Sequence, residues 1–184
     1  MFFPSRITAF AGLLFLVSCA GDTRHRMIVS ATDQRMAVFD KEKPLAFFKI
    51  STSRFALSDT PGSNGTPLGK MEVAKKIGGG QPLGMKFSSR QPTGEIVRVN
   101  ARGRDPIVTR ILWLRGLESG NRNTYGRFIY IHGTPEERFL GRPASYGCIR
   151  MSSVDVAWLY DLVGEGAKVT VVREPLSSVL ASAQ

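Results

Sequence analysis

The chain of 184 residues has the length of a single domain and can enclose a sizeable hydrophobic core. An apolar fraction of 42% and a charged fraction of 22% are ordinary for a globular protein, which excludes a disordered or fibrous chain. Nineteen glycines and ten prolines favour short strands joined by turns over a helix bundle. The formal net charge of +10 indicates either a solvated basic surface or an acidic partner.

Residues 1–18 have the pattern of a secretory signal peptide. One basic residue, Arg6, precedes an apolar run at residues 7–17. This run is shorter than the roughly 20 apolar residues that span a bilayer. We therefore expect export into the cell envelope, which makes nucleic acid an unsuitable partner for the basic chain.

The residues around Cys19 resemble a bacterial lipobox. Small Ser18 precedes the cysteine, and Leu16 stands three positions before it. The resemblance implies cleavage before Cys19 and its acylation, so that membrane lipid would anchor the protein at the periplasmic face of the envelope. Ala20, rather than Asp, follows the cysteine, so the outer membrane is the expected destination. A plain signal peptide with an incidental cysteine is the alternative.

The start of the mature chain predicts a short tether followed by an antiparallel meander. Residues 19–26 read as a polar tether in which His25 is solvated. Three apolar runs separated by turn-rich segments then predict strands at residues 27–29, 36–39 and 45–50.

The middle of the chain continues with short strands. Residues 77–94, with a triple glycine and two Gln-Pro pairs, read as a mobile flap or connection. Residues 128–131 form a short strand that delivers His132 at its end. Alternation and apolar runs predict the remaining strands at residues 70–74, 96–99 and 106–117.

Residues 152–163 predict the one clear helix. Ser152 or Ser153 can cap it, and its apolar face is expected to be Val154, Ala157, Trp158, Leu162 and Val163. A closing strand at residues 167–173 and a loose tail at residues 174–184 follow. The folded domain is therefore predicted to be mainly β, to cover residues 27–173 and to carry one short helix.

His132 and Cys148 are the candidates for chemistry. If Cys19 is acylated, Cys148 is the only free thiol, and a lone thiol in an oxidising envelope cannot form an intramolecular disulfide. A nucleophilic cysteine needs a base, and His132 is the histidine available to the folded domain. A buried structural cysteine and a core histidine are the alternatives. One Cys and one His make at most half a zinc site, so no metal is expected. A papain-type protease has the opposite order of nucleophile and histidine.

The residues around Cys148 supply what a thiol nucleophile needs. The backbone N–H groups of Gly147 and Cys148 are candidate oxyanion donors, and Arg150 could hold a substrate carboxylate bidentately. The helix beginning near Ser152 would lower the thiol pKa if its positive end faced the turn. Eleven Arg and one Lys lie from Lys86 to Arg150 against five acids, which suits the free carboxylates of peptidoglycan stem peptides.

The chain contains the segments His132-Gly133-Thr134 and Ser145-Tyr146-Gly147-Cys148-Ile149-Arg150-Met151 in this order. Together they resemble the L,D-transpeptidase (YkuD) catalytic domain. The upstream loop Gly65-Thr66-Pro67-Leu68-Gly69 also resembles a loop of that family. The resemblance implies a β-sandwich-like fold with a short helix after the catalytic cysteine. It also implies that Cys148 forms a thioester with a stem peptide and passes it to an amine. His132 would be the base, oriented by the Gly133 carbonyl, with no metal or organic cofactor, and carbapenems would acylate the thiol.

Tyr146 is a departure from the family, which usually has Ser-His-Gly-Cys where this chain has Ser145-Tyr146-Gly147-Cys148. The second histidine is thought to help shape the oxyanion and acceptor site, and Tyr146 can donate one hydrogen bond there but carries no charge near neutral pH. Two alternatives to a transpeptidase therefore stay open. One is a hydrolase on the same fold, which trims stem peptides or releases wall-linked protein. The other is a non-catalytic peptidoglycan-binding lipoprotein.

Overall fold

The computed structural model describes residues 21–101, 103 and 105–182. The expected signal peptide and the acylated Cys19 lie outside these residues. Within the described part of the chain, no helix combines the length and apolar character needed to cross a membrane.

Short strands are the main regular structure of the described chain, as the sequence predicts. Two α-helices follow the nucleophile segment, α1 at Ser153–Leu162 and α2 at Leu176–Ala181. The strands are β1 His25–Ser30, β2 Arg35–Asp40, β3 Lys43–Lys49, β4 Gly69–Ile77, β5 Met85–Ser88, β6 Gln91–Ile96, β7 Val108–Gly116, β8 Tyr130–Gly133, β9 Ile149–Met151 and β10 Lys168–Val172.

The strands join in one branched sheet of order β3-β2-β1-β10-β4-β7-β5-β6, with β8 and β9 extending from β7. β1, β2 and β3 pair antiparallel, which confirms the predicted meander. Two pairs are parallel, β1 with β10 and β8 with β9. The fold is mainly β, and its branch at β7 separates the β5–β6 hairpin from the two strands that carry the candidate site.

Helix α1 covers one face of the sheet, with a side that matches the predicted one only in part. Val156 and Leu159 are fully buried in the main hydrophobic core, and Val163 at the end of the helix is buried there as predicted. Val154 and Trp158, by contrast, are 65% and 43% exposed. This part of the predicted face was wrong because large apolar residues lie all around the helix, so periodicity alone did not select the buried side.

The two ends of the described chain are better ordered than the sequence predicts. His25 belongs to β1, and its Nδ1 lies 2.9 Å from the Oδ2 of Asp22, so the prediction of a solvated tether residue was wrong. The expected loose tail contains α2, whose Leu176 is 5% exposed and packs with Ile28 and Phe39. The first end is ordered because His25 pairs with Asp40 in the β1–β2 ladder, and the second because Leu176 is buried against β1 and β2.

The glycine-rich middle segment is a hairpin. β5 and β6 pair within residues 77–96, where the sequence predicted an irregular flap. β6 ends at Ile96, so the strand predicted at residues 96–99 does not form. Ser89 and Arg90 adopt positive φ angles of 47° and 69° at the hairpin turn, a conformation that sequence patterns rarely reveal for residues other than glycine.

Candidate active site

Cys148 lies in the turn that precedes β9. Its side chain is partly buried and faces a cavity of about 170 Å³, and its Sγ lies 3.5 Å from the carbonyl oxygen of Phe128. The cavity is lined by Asp105, Ile107, His132, Ser145, Tyr146, Cys148 and Arg150. The structure thus brings together the residues that the sequence singled out, and it adds Asp105 and Ile107.

Parallel pairing of β8 with β9 brings His132 to the thiol. Ile131 pairs with Ile149, the residue after Cys148, and His132 is inside β8 rather than beyond its end. His132 is 4% exposed, and its Nδ1 lies 2.8 Å from the carbonyl oxygen of Gly133. Because a carbonyl only accepts, Nδ1 carries the proton of the neutral ring and Nε2 keeps its lone pair. This tautomer is the one a general base requires.

Burial holds both side chains in their neutral forms. Desolvation raises the pKa of the Cys148 thiol to about 11, against a smaller lowering by a hydrogen bond from the Tyr130 backbone. Desolvation also lowers the pKa of His132 to about 4, against a smaller raising by the hydrogen bond with Gly133. A neutral thiol beside a neutral imidazole is therefore the resting state of the free site.

Helix α1 does not activate the thiol as the sequence suggested. Its first backbone N–H groups are already bonded: Ser153 donates to Glu137 over 2.9 Å and Asp155 to the Ser152 hydroxyl over 3.0 Å. β9 also intervenes between Cys148 and the helix. The expected lowering of the thiol pKa by the helix dipole was wrong, because the effect fades beyond the first turn.

Ser145 fixes the shape of the nucleophile turn. Its hydroxyl donates to the Cys148 carbonyl over 2.5 Å and accepts from the Gly147 backbone N–H over 3.2 Å. The Gly147 N–H is therefore engaged in this structure and is not a free oxyanion donor. Among the hydrogen bonds of the described residues, none uses the Cys148 N–H as donor, so this group remains the available one.

The loop that precedes β4 is hydrogen-bonded to the same turn. The buried Thr66 hydroxyl donates to the Gly147 carbonyl over 2.9 Å and accepts from the Ser53 N–H over 2.9 Å. Arg127 in turn donates to the Gly65 carbonyl over 2.8 Å. Gly147 has a φ of +121°, and a Cβ there would lie 3.1 Å from the Gly65 oxygen. Glycine is thus required at position 147 on both grounds.

Arg150 is occupied by the protein's own carboxylates. Its side chain is 7% exposed and pairs with Asp105 over 2.5 Å and with Glu136 over 3.7 Å. The Thr134 hydroxyl also donates to Asp105. Arg150 faces the thiol cavity, but the predicted bidentate hold on a substrate carboxylate does not suit a guanidinium already paired with two acids. Asp105 was missed because nothing in its sequence surroundings marks it as a partner of Arg150.

Tyr146 lines the thiol cavity and is engaged by Arg54. It is 56% exposed, its hydroxyl accepts a hydrogen bond from Arg54, and that guanidinium lies 4.5 Å from its ring centroid. The Phe55 ring lies 5.1 Å away on the same side. Arg54 is a second residue that sequence reasoning missed, since it precedes Tyr146 by 92 positions.

Cys148, His132 and Asp105 are the side chains of the thiol cavity that belong to metal-ligand types. Within residues 21–101, 103 and 105–182, no group of three or more His, Cys, Asp or Glu side chains could hold a metal ion. Asp105, the nearby carboxylate of the cavity, is paired with Arg150.

Comparison with known proteins agrees with this geometry. Residues 24–171 match the L,D-transpeptidase catalytic domain family YkuD. The chain is 34% identical over 88 residues to the putative L,D-transpeptidase YkuD of Bacillus subtilis, which is 48% of this chain and 49% of the relative. The chain thus spans about half the length of this curated relative.

Solved structures show the same fold. The L,D-transpeptidase of Xylanimonas cellulosilytica superposes with a TM-score of 0.53 at 16% identity, over 82% of this chain and 61% of that one. L,D-transpeptidase 3 of Mycobacterium tuberculosis, in complex with a faropenem-derived adduct, gives 0.52 at 19% identity, over 80% and 60%. Because the family match covers well over half of the sequence, this chain belongs to the YkuD family of L,D-transpeptidase catalytic domains.

Proposed function

We propose that this protein is a peptidoglycan L,D-transpeptidase that uses Cys148 as nucleophile and His132 as base. The observation that carries the proposal is the shared cavity of these two side chains, with the imidazole held by the Gly133 carbonyl in the tautomer that leaves Nε2 basic. The family match supports the reaction class.

Acylation begins from the neutral pair. Nε2 of His132 takes the thiol proton as Sγ attacks the carbonyl of the third stem residue, a diaminopimelate in many walls. The Cys148 N–H donates to the developing oxyanion. The amide C–N bond then breaks, the imidazolium returns its proton to the leaving amine of the terminal D-amino acid, and a thioester remains. A neutral starting pair needs no prior thiolate, which matches the raised thiol pKa and the lowered imidazole pKa.

Deacylation repeats the same proton movements with an amine as nucleophile. Nε2 takes a proton from the side-chain amine of a second diaminopimelate as that amine attacks the thioester. The C–S bond breaks, the thiol is reprotonated, and a 3→3 cross-link is formed. Water in place of the amine would give a free tripeptide. Tyr146 keeps this second outcome as the alternative, because the thiol cavity holds a phenol bonded to Arg54 at the position where the family usually has a histidine.

The expected location follows from the sequence around Cys19, which lies outside the described residues. Acylated Cys19 would anchor the domain at the periplasmic face of the outer membrane, where the stem peptides of the wall are within reach. Cell-wall remodelling is the corresponding role.

Intact mass spectrometry tests the nucleophile. The purified chain is mixed with imipenem, and a single adduct of the drug's mass is expected. Cys148→Ser should remove the adduct and His132→Gln should slow its formation at least about 100-fold, the usual scale for general base loss. Adducts that persist in Cys148→Ser would exclude this thiol as the nucleophile.

Product analysis with a tetrapeptide stem then separates the functions. Cross-linked dimers indicate transfer, and free tripeptide indicates hydrolysis. Retention on wall sacculi without either product, equal in the native chain and in Cys148→Ser, would mean that the protein only binds peptidoglycan.

A further inference from the structure

A groove leads away from the thiol on the side of Tyr146. A cavity of about 410 Å³ shares Asp105, Tyr146 and Arg150 with the thiol cavity. A third cavity of about 340 Å³ continues from it and shares Arg54 and Glu136 with it. The three cavities therefore adjoin one another in a row that runs from Cys148 to Arg142.

The arginines along this groove differ in whether a carboxylate of the protein neutralises them. Arg150 is neutralised by Asp105 and Glu136. Arg54 and Arg142, by contrast, are exposed, and within the described residues neither guanidinium forms an ion pair with a carboxylate. The groove thus has two cationic groups available to a ligand, although its innermost arginine is saturated.

Contacts with two aromatic side chains position the Arg54 guanidinium and leave most of its N–H groups available. Its guanidinium lies 4.5 Å from the Tyr146 ring centroid and 5.0 Å from that of Phe55, and it donates to the Tyr146 hydroxyl. A guanidinium stacked on aromatic rings keeps most of its five N–H donors at its edge. The edge of a stacked arginine matches a carboxylate in shape and charge.

We propose that Arg54, oriented by Tyr146, is a specificity-determining residue that binds a free carboxylate of the stem peptide attacked by Cys148. The inference rests on the proposed function and assigns the carboxylate contact to Arg54 instead of Arg150. Tyr146 lines both the thiol cavity and the cavity that contains Arg54, so Arg54 is next to the site that the reacting peptide occupies. The carboxylate belongs either to the terminal D-amino acid or to the side chain of the third residue.

Release of the terminal D-amino acid by the full chain in detergent micelles tests this contact. Three tetrapeptide donors are compared: the free acid, one amidated at the C-terminus and one amidated at the side-chain carboxyl of the third residue. Arg54→Gln should lower kcat/KM for the free acid about 10- to 100-fold, mainly through KM, because a charge-assisted hydrogen-bonded pair is lost. The amidated peptide that lacks the recognised carboxylate should be equally poor with the native enzyme and insensitive to Arg54→Gln.

Matched variants separate recognition from folding and from overall charge. Arg35→Gln removes an exposed arginine of β2 and should leave kcat/KM unchanged. Tyr146→Phe keeps the ring and removes only the hydroxyl that holds Arg54, so it should raise KM severalfold with kcat retained. Arg54→Lys should restore part of the affinity but not the fork geometry.

The outcomes are distinct. If native enzyme turns over the free acid and Arg54→Gln is unaffected, or loses equally on all three peptides, the assignment of Arg54 is overturned while the proposed function stands. If the native enzyme releases no D-amino acid from any donor, the proposed function fails and the assignment fails with it.

Discussion

The protonation state of Cys148 can be tested by alkylation with iodoacetamide, a small uncharged reagent that reacts with the thiolate. Burial raises the thiol pKa from the ordinary 9.0 to about 11. Each pKa unit lowers the thiolate fraction tenfold, so below about pH 9 the site should hold roughly 100-fold less thiolate than an ordinary cysteine. The logarithm of the alkylation rate should therefore rise linearly with pH and approach its midpoint near pH 11.

His132→Gln is the informative variant in this experiment. The pKa of His132 is lowered to about 4, so above about pH 5 the ring is neutral and its removal takes away no positive charge. The alkylation midpoint should consequently stay where it is, although acylation by imipenem is slowed at least about 100-fold. Alkylation followed by intact mass at each pH gives both rates on the same sample.

An imidazolium–thiolate pair would behave differently. The alkylation rate would then reach a plateau by about pH 7, and His132→Gln would shift the midpoint upward because the partner cation is lost. That result would refute the neutral pair and the acylation step derived from it. The two models are distinguished by the pH at which the alkylation rate levels off. Restricted access to the partly buried thiol lowers the rate at every pH alike and does not move this point.

Three stability measurements extend the test to the rest of the domain. The pKa of His132 is about 4 in the folded protein and 6.5 in an ordinary histidine, so the unfolded chain binds a proton at a higher pH than the folded one. Urea titrations should therefore show about 3 kcal/mol of stability lost as the pH falls from 6.5 to 4. This loss should be absent in His132→Gln. Gly147→Ala should cost about 1–3 kcal/mol from its positive φ, and an unchanged melting temperature would contradict the strain. Leu159→Ala should lower the free energy of unfolding by about 2–5 kcal/mol, whereas Val154→Ala on the same helix should change it by less than about 0.5 kcal/mol. Equal losses would contradict the assignment of the buried face.

Local signals made part of this fold predictable. β1, β2 and β3 alternate with turn-forming segments, so their existence and antiparallel pairing follow from neighbouring residues. The meeting of His132 with Cys148 was predictable for another reason, since they are scarce residue types with reactive side chains and few roles to choose from. Both inferences needed only information contained in short stretches of the chain.

Long-range contacts could not be predicted in this way. Arg54 meets Tyr146, and Asp105 meets Arg150, only after the sheet has formed, and no local pattern records either pair. The order of α2 likewise depends on Leu176 finding the apolar side chains of β1 and β2. The charges of the site therefore depend on the tertiary fold, whereas the candidate nucleophile, Cys148, is visible in the sequence.

The position of β10 bears on when the domain can fold. β10 lies between β1 and β4, and its register with β1 pairs Arg26 with Lys168, so the middle of the sheet is built from opposite ends of the domain. Contacts of such long sequence separation form slowly and only when both partners are available. A chain still emerging from a ribosome lacks this strand until Val172 is released. The thiol and its base should therefore be assembled only after synthesis of the domain is complete.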